Sequence, residues 1–180
     1  MGGRSRRMGT DKALIEIGDR PLARRVADEI GRVCGQVSLV GDPALYGNLG
    51  RPVIPDRFPG QGPLAGIEAA LGATTVEWNL VVACDMPSLD VSILEALFEA
   101  GGDCAVPSYS DGRVEPLCAV FHRRCHAAIL ESLESGVRKV TEALGRLESK
   151  ELRLEYVRVD KADSFANLNT PEDLERFRHG

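Results

Sequence analysis

The sequence has no apolar run approaching the roughly 18 residues that would span a bilayer, so no transmembrane helix is expected. Arg4, Arg6 and Arg7 lead into Asp11 and Lys12 rather than into the apolar core of a signal peptide. The five cysteines, Cys34, Cys84, Cys104, Cys118 and Cys125, form neither a C-x-x-C pair nor an even framework, which argues against a thiolate metal cluster and a disulfide-stapled scaffold. They read as reduced thiols filling the core of a cytoplasmic protein. His122, His126 and His179 lie apart without ligand spacing, and no Ser-His-Asp or Cys-His set is visible. Positive charge is in deficit: 22 lysines and arginines stand against 27 acidic residues, a net charge of −5. That balance opposes a general affinity for nucleic acid or an anionic membrane, so any phosphate binding has to come from a local arrangement.

What is present is enough for one domain, residues 1–180, with a proper core: 180 residues, 43% of them apolar. Short apolar runs alternate with amphipathic stretches of helical length. In 21–33, Leu22, Val26, Ile30 and Val33 recur at helical intervals behind Pro21. Strand-like runs at 37–40 and 52–56 are followed by a helix over 63–73. The run WNLVVACD (78–85) is apolar almost throughout, which predicts a central strand covered on both faces. A helix over 91–100, capped by Asp90, stops at Gly101-Gly102. CAVPSY and EPLCAVFH flank the loop SDGRV as a strand pair, with helices near 123–134 and 137–147 beyond it. Alternation in 152–160 suits a strand at or near an edge, and Thr170, Pro171, Glu172 and Asp173 form a helix start. This order predicts an α/β fold with a mostly parallel central sheet, flanked by helices through right-handed crossovers.

Four stretches could carry chemistry. GGRSRRMGTDK places Gly2, Gly3 and Gly9 where backbone N–H groups could approach an anion, with Arg6, Arg7 and Lys12 adding charge. It matches neither the P-loop nor the dinucleotide fingerprint, and a disordered basic terminus would read the same way. Asp85, directly after the most apolar strand, falls at the carboxyl edge of a parallel sheet, where open α/β folds bind ligands. A carboxylate there suits Mg²⁺ on a nucleoside triphosphate; the plainer alternative is a turn or a cap for the helix near Asp90. Asp56 ends PVIPD in an analogous place, where a simple turn residue is an equal reading. GQGPLAG (60–66) is a glycine-rich turn into a helix, fit either to contact a flat base or to make a tight connection.

In order, GGRSRRMGTDKAL, PVIPD, GPLAGI, ACDMP, EPLCAVF and NLNTPEDL resemble the signature segments of the molybdenum cofactor guanylyltransferases of the MobA type, over essentially the whole chain. The resemblance implies a Rossmann-like nucleotidyltransferase fold and Mg²⁺-dependent transfer of GMP from GTP to molybdenum-molybdopterin, with release of pyrophosphate. It also implies transient contact with the proteins that supply and receive the cofactor. Carried over residue by residue, the family's L-A-G-G loop falls on Met1 to Gly3, so that Gly2 and Gly3 match and the leucine and alanine do not. The nucleotide-contacting lysine is Lys12, and the two aspartates are Asp56 and Asp85, the latter at the magnesium position. The guanine-side asparagine of some members falls near Gly41, where this sequence has none. Asn167 and Asn169 match the segment that lies toward the pterin, although helix capping and turn formation would also explain them. Gly2 and the GPLAG turn favour the guanylyl over the cytidylyl enzymes of the same pathway. Alternatives are a cytidylyl or sugar-phosphate transferase of the same fold, and a nucleotide-binding protein without catalysis.

In doubly wound sheets a phosphate loop follows the first strand, which lies in the middle of the sheet. No apolar run precedes Gly2-Gly3 in this sequence. The expectation is therefore a sheet without its usual first strand, holding an apolar slot two strand spacings wide, roughly 9–10 Å. With it goes the expectation that the natural coding sequence begins upstream of Met1.

Overall fold

A computed structural model describes residues 11–160, Phe165, Leu168 and 171–179. Gly2, Gly3, Arg6, Arg7, Gly9, Asn167, Asn169 and Thr170 lie outside the described residues.

From Asp11 a single 3-10 turn, Lys12–Leu14, leads into a two-residue hairpin, β1 (Glu16–Ile17) and β2 (Arg20–Pro21). Helix α1 (Leu22–Cys34) buries Leu22, Val26 and Ile30, the stripe its spacing predicts, together with Ala23 and Ala27. β3 (Leu39–Val40), the short α2 (Pro43–Tyr46) and β4 (Val53–Ile54) follow, and β3 pairs parallel with β4. Helix α3 (Pro63–Ala73) starts at Gly62 and buries residues around its whole circumference, as a helix with no polar stripe must. Then come β5 (Trp78–Val82), α4 (Val91–Glu99), β6 (Cys104–Ser108) and β7 (Cys118–His122). Beyond them lie α5 (His126–Glu134), α6 (Val140–Ser149), β8 (Leu154–Arg158) and α7 (Pro171–His179). No described helix is long and apolar enough to cross a membrane.

The larger sheet runs β5-β7-β6-β8. β7 is antiparallel to both β5 and β6, whereas β6 and β8 are parallel, so the sheet is mixed, with β7 alone against the common direction. The strand pair read around SDGRV accounts for that reversal, because a chain that turns back through a loop must return antiparallel. β8 takes the edge, as its alternation predicts. β5 does not take the centre. Among the described strands it pairs only with β7, and β3–β4 stand apart as a second pair. A continuous apolar run reports that both faces of a strand are covered; it carries no information about whether both edges are paired.

Side chains of β7 alternate between two cores. Ala119 and Phe121 enter the cluster formed with α3, α5 and α6, and Cys118 and Val120 enter the one formed with α4. Cys104 and Cys125 lie in the first cluster and Cys118 in the second, and burial pushes all three thiols up, Cys125 to about 12. Core filling is their visible role.

Asp103, almost fully buried, ties the starts of β6 and β8 to the end of β7. Its carbonyl accepts from His122 N, its N–H donates to the Arg153 carbonyl, and its carboxylate takes Arg153 N at 2.8 Å and the Arg124 guanidinium. Asp103→Ala leaves the Arg153 N–H without its carboxylate, and is expected to cost about 2–3 kcal/mol in urea unfolding. A loss below about 0.5 kcal/mol would show that the carboxylate is not a structural tie.

Candidate functional site

The ladder between β5 and β7 continues one step past Val82, where Ala83 N donates to the Leu117 carbonyl at 2.8 Å. Asp85 follows two residues later, at the carboxyl edge of the sheet. Its carbonyl is held by Leu168 N at 2.9 Å, which brings the buried Leu168, between the two candidate asparagines, against the same turn. Asp90 caps α4 with its own side chain through Ser92 N. The Asp85 carboxylate is therefore not needed as that cap.

Lys12 reaches Asp85 across 73 residues of sequence, with Nζ 3.4 Å from Oδ2. Their side chains are 14% and 22% exposed, so the pair is largely sheltered. At that distance the contact is longer than the 2.7–2.9 Å of a tight charge-assisted hydrogen bond, so it is a loose pairing.

The position of Lys12 rests on its neighbours. Asp11 caps the 3-10 turn, with Oδ1 accepting from Ala13 N at 3.0 Å, and its Oδ2 accepts the Tyr46 hydroxyl at 2.5 Å. Tyr46 and Ala13 are packed with Ala23 of α1. Burial first, and then the Asp11 carboxylate, hold the Tyr46 phenol well above its ordinary pKa. Gly41 makes room for this arrangement: its φ is +151°, and a Cβ there would run into the Tyr46 ring. A side chain at 41 and the Tyr46 ring therefore exclude each other.

Glu115 is the residue that sequence reasoning missed. Desolvation raises its carboxyl pKa, the Leu117 N–H opposes that shift, and the Asp85 charge adds to it. The two carboxylates therefore feel one another. The signal was the pairing of Leu117 with Ala83, which sets Glu115 beside the turn after β5, but that register cannot be read without the sheet. Burial also raises the Cys84 thiol to about 11, with the Asp85 and Asp11 charges raising it further and Lys12 opposing them.

Of the sequence-derived candidates, Lys12 and Asp85 are brought together. Asp56 is not: it stands beyond β4, and among the described residues its hydrogen bond is a turn, with Oδ1 accepting from Phe58 N at 2.8 Å. The glycine-rich turn before α3 contains Gly60 and Gly62, both with positive φ. His122 caps the turn of Arg124 and meets Trp78 edge to face, while His126 bonds to the buried Glu68. Neither histidine contributes to the site.

The raised Tyr46 pKa has a definite sign in stability. Above pH 10 the unfolded chain releases the phenolic proton and the native chain keeps it, so stability present below that pH is lost as pH rises. Tyr46→Phe is expected to lower stability at pH 8 by about 1 kcal/mol and to flatten its decline between pH 8 and pH 10.5. Parallel urea unfolding of both proteins at the two pH values checks this, and an unchanged slope would count against it.

The family profile described as the MobA-like NTP transferase domain matches residues 1–149. A probable molybdenum cofactor guanylyltransferase from Pelotomaculum thermopropionicum is 40% identical over 182 residues, covering 98% of this chain and 88% of that protein. A second, from Carboxydothermus hydrogenoformans, is 32% identical over 180 residues, covering 98% and 91%. Among solved structures, the molybdopterin-guanine dinucleotide biosynthesis protein A of Archaeoglobus fulgidus superimposes with a TM-score of 0.80 at 28% identity, over 99% of this chain and 94% of that one. With a nucleotidyltransferase neighbour matching the fold nearly end to end and relatives matching the sequence as fully, this chain belongs to the molybdenum cofactor guanylyltransferase family, built on a MobA-like NTP transferase domain.

Proposed function

We propose that this protein transfers GMP from GTP to the terminal phosphate of molybdenum-bound molybdopterin, with Lys12 and Asp85 acting on the triphosphate. The observation that carries the reading is their convergence, 3.4 Å apart at the carboxyl end of β5, in a chain of this family. An oxygen of the pterin phosphate attacks the α-phosphorus of GTP. That P–O bond forms as the bond to the β-phosphate breaks, and pyrophosphate leaves with the electron pair. A phosphate monoester is largely dianionic at neutral pH, so it needs no protein base to attack. This accounts for a site without an activated serine, cysteine or histidine.

The protein's task is alignment and charge. The Lys12 ammonium would neutralise charge gathering on the departing pyrophosphate, joined by the N–H groups of Gly2 and Gly3 and by Arg6 or Arg7. The donor set suits Mg²⁺. Among the described residues no group of three or more acidic, histidine or cysteine side chains could hold a metal unaided, and Mg²⁺ characteristically takes one or two carboxylates and fills its shell with phosphate oxygens and water. Asp85 would hold it, loosely paired as it is and sensed by Glu115. Once bound, the ion would supply positive charge against the triphosphate. Asp56 would contribute to the GTP side by a change of partner from its present turn, and Asn167 and Asn169 would face the pterin. A cytoplasmic setting goes with this chemistry, where reduced thiols and GTP are both available.

Asp85→Asn keeps the side-chain shape and deletes its charge. Pyrophosphate release from GTP in the presence of molybdopterin is expected to fall at least on the order of 10²-fold, with an unchanged circular dichroism spectrum; unaltered turnover would remove Asp85 from the chemistry. Lys12→Ala is expected to weaken GTP binding by about tenfold or more, the scale of one charge-assisted contact, and to leave the pterin substrate much less affected. Calorimetric titration with each substrate separates the two, and equal GTP affinity in mutant and parent would refute the assignment.

A further inference from the structure

Helix α3 buries its whole circumference, and one of the positions it buries carries a charge. Glu68 is the single ionisable residue of that helix and is fully buried, between Ile67 and Ala69. One oxygen makes all of its hydrogen bonds: Oε1 lies 2.9 Å from Nη1 of Arg57 and 2.9 Å from Nε2 of His126, at the start of α5. Oε2 is buried too and has no hydrogen-bond partner among the described residues. Gly72, one turn further along α3, leaves room for the His126 ring, since a Cβ there would stand 3.0 Å from Nε2. A methionine would fill the place of Glu68 without the cost of taking a carboxylate out of water. Packing of α3 on α5 therefore does not explain the charge.

What the charge holds is Arg57. Residues 56–61 lie between β4 and α3, and two of their hydrogen bonds close small turns inside the segment. Phe58 N donates to Asp56 Oδ1 at 2.8 Å, and Gln61 N to the Phe58 carbonyl at 3.1 Å. Among the described residues the bond from Arg57 to Glu68 is the one that ties this segment to the rest of the fold. Phe58 adds apolar contact with the cluster around α3, and the Arg57 guanidinium lies 5.9 Å from the centre of its ring. Arg57 is itself a surface side chain, 57% exposed, and could keep its charge in water. Glu68 has no such recourse, because a buried carboxylate that loses its cation is left uncompensated. The pair is therefore held from the buried side, and the residue it holds directly follows Asp56.

We propose that Glu68 is a positioning residue for the nucleotide side of the site. By holding Arg57 it fixes the 56–61 segment against α3, and with it the place from which Asp56 exchanges its turn for GTP. The inference rests on the reading of Asp56 given above.

The test uses Glu68→Met, which keeps the volume and removes the charge, with Arg57→Ala, Arg57→Lys and Asp56→Asn, all in the full chain. Hydrogen exchange at the Phe58 and Gln61 amides follows the segment, calorimetric titration with GTP follows the site, and thermal unfolding follows the fold. Glu68→Met and Arg57→Ala are each expected to speed exchange at both amides at least about fivefold and to weaken GTP binding about threefold to tenfold. Their unfolding midpoints are expected to stay within about 3 °C of the parent. Arg57→Lys is expected to restore most of both losses. Adding Arg57→Ala to Asp56→Asn is expected to weaken GTP no further, because the segment matters through Asp56. A carboxylate that only stabilises the fold would lower the midpoint and leave GTP affinity unchanged, which overturns the proposal. Unchanged exchange in both variants overturns it as well, and so does weaker GTP binding in Arg57→Ala but not in Glu68→Met, which would make the arginine a direct contact. Asp56→Asn separates the two levels. If it weakens GTP while Glu68→Met and Arg57→Ala do not, the positioning role alone fails; if it leaves GTP affinity unchanged, that role falls with the reading of Asp56. Arg57→Ala, its lysine counterpart and the double variant decide the question without Glu68→Met if that protein does not fold.

Discussion

Strand β5 is gripped along one edge, and the site hangs from its end. Its five pairs with β7 hold it in register, and the added bond from Ala83 to Leu117 carries that register to the turn where Asp85 stands. β7 in turn is fixed from the other side by β6 and, at its far end, by the backbone and carboxylate of Asp103. The alternation of β7 between two apolar clusters makes this grip hard to slip, because a shift of one residue would exchange Phe121 and Val120 between cores of different shape. The position of one carboxylate is thus set by packing on both faces of a neighbouring strand.

The Lys12–Asp85 pair adds little to that positioning by attraction. At 3.4 Å the contact is longer than a tight charge-assisted hydrogen bond. What holds Lys12 is the buttress behind it: Gly41 admits the Tyr46 ring, Tyr46 donates to Asp11, and Asp11 caps the turn that bears Lys12. Two oppositely charged groups are therefore brought together by structure that does not depend on their meeting. A ligand that carries both charges can replace the pairing, with the ammonium going to an anion and the carboxylate to a cation. The half-buried Glu115, whose carboxyl is raised in part by Asp85, strengthens the bias toward a cation there.

Local signals in the sequence were faithful to local structure. The spacing of Leu22, Val26 and Ile30, the cap at Asp90 and the alternation before residue 158 each correspond to the element they predict. Asp85 was legible because a carboxylate after an apolar run falls at a strand end whatever the strand order. Asp56 carried the same signal and is engaged in a turn, so the signal marks a place rather than a role. Long-range pairing was not legible. The reversal of β7 could be read because its partner β6 lies just across a short loop, whereas the edge position of β5 among the described strands and the nearness of Glu115 to Asp85 depend on partners distant in sequence, about which residue type says nothing. The Tyr46–Asp11 bond, spanning 35 residues, was hidden for the same reason.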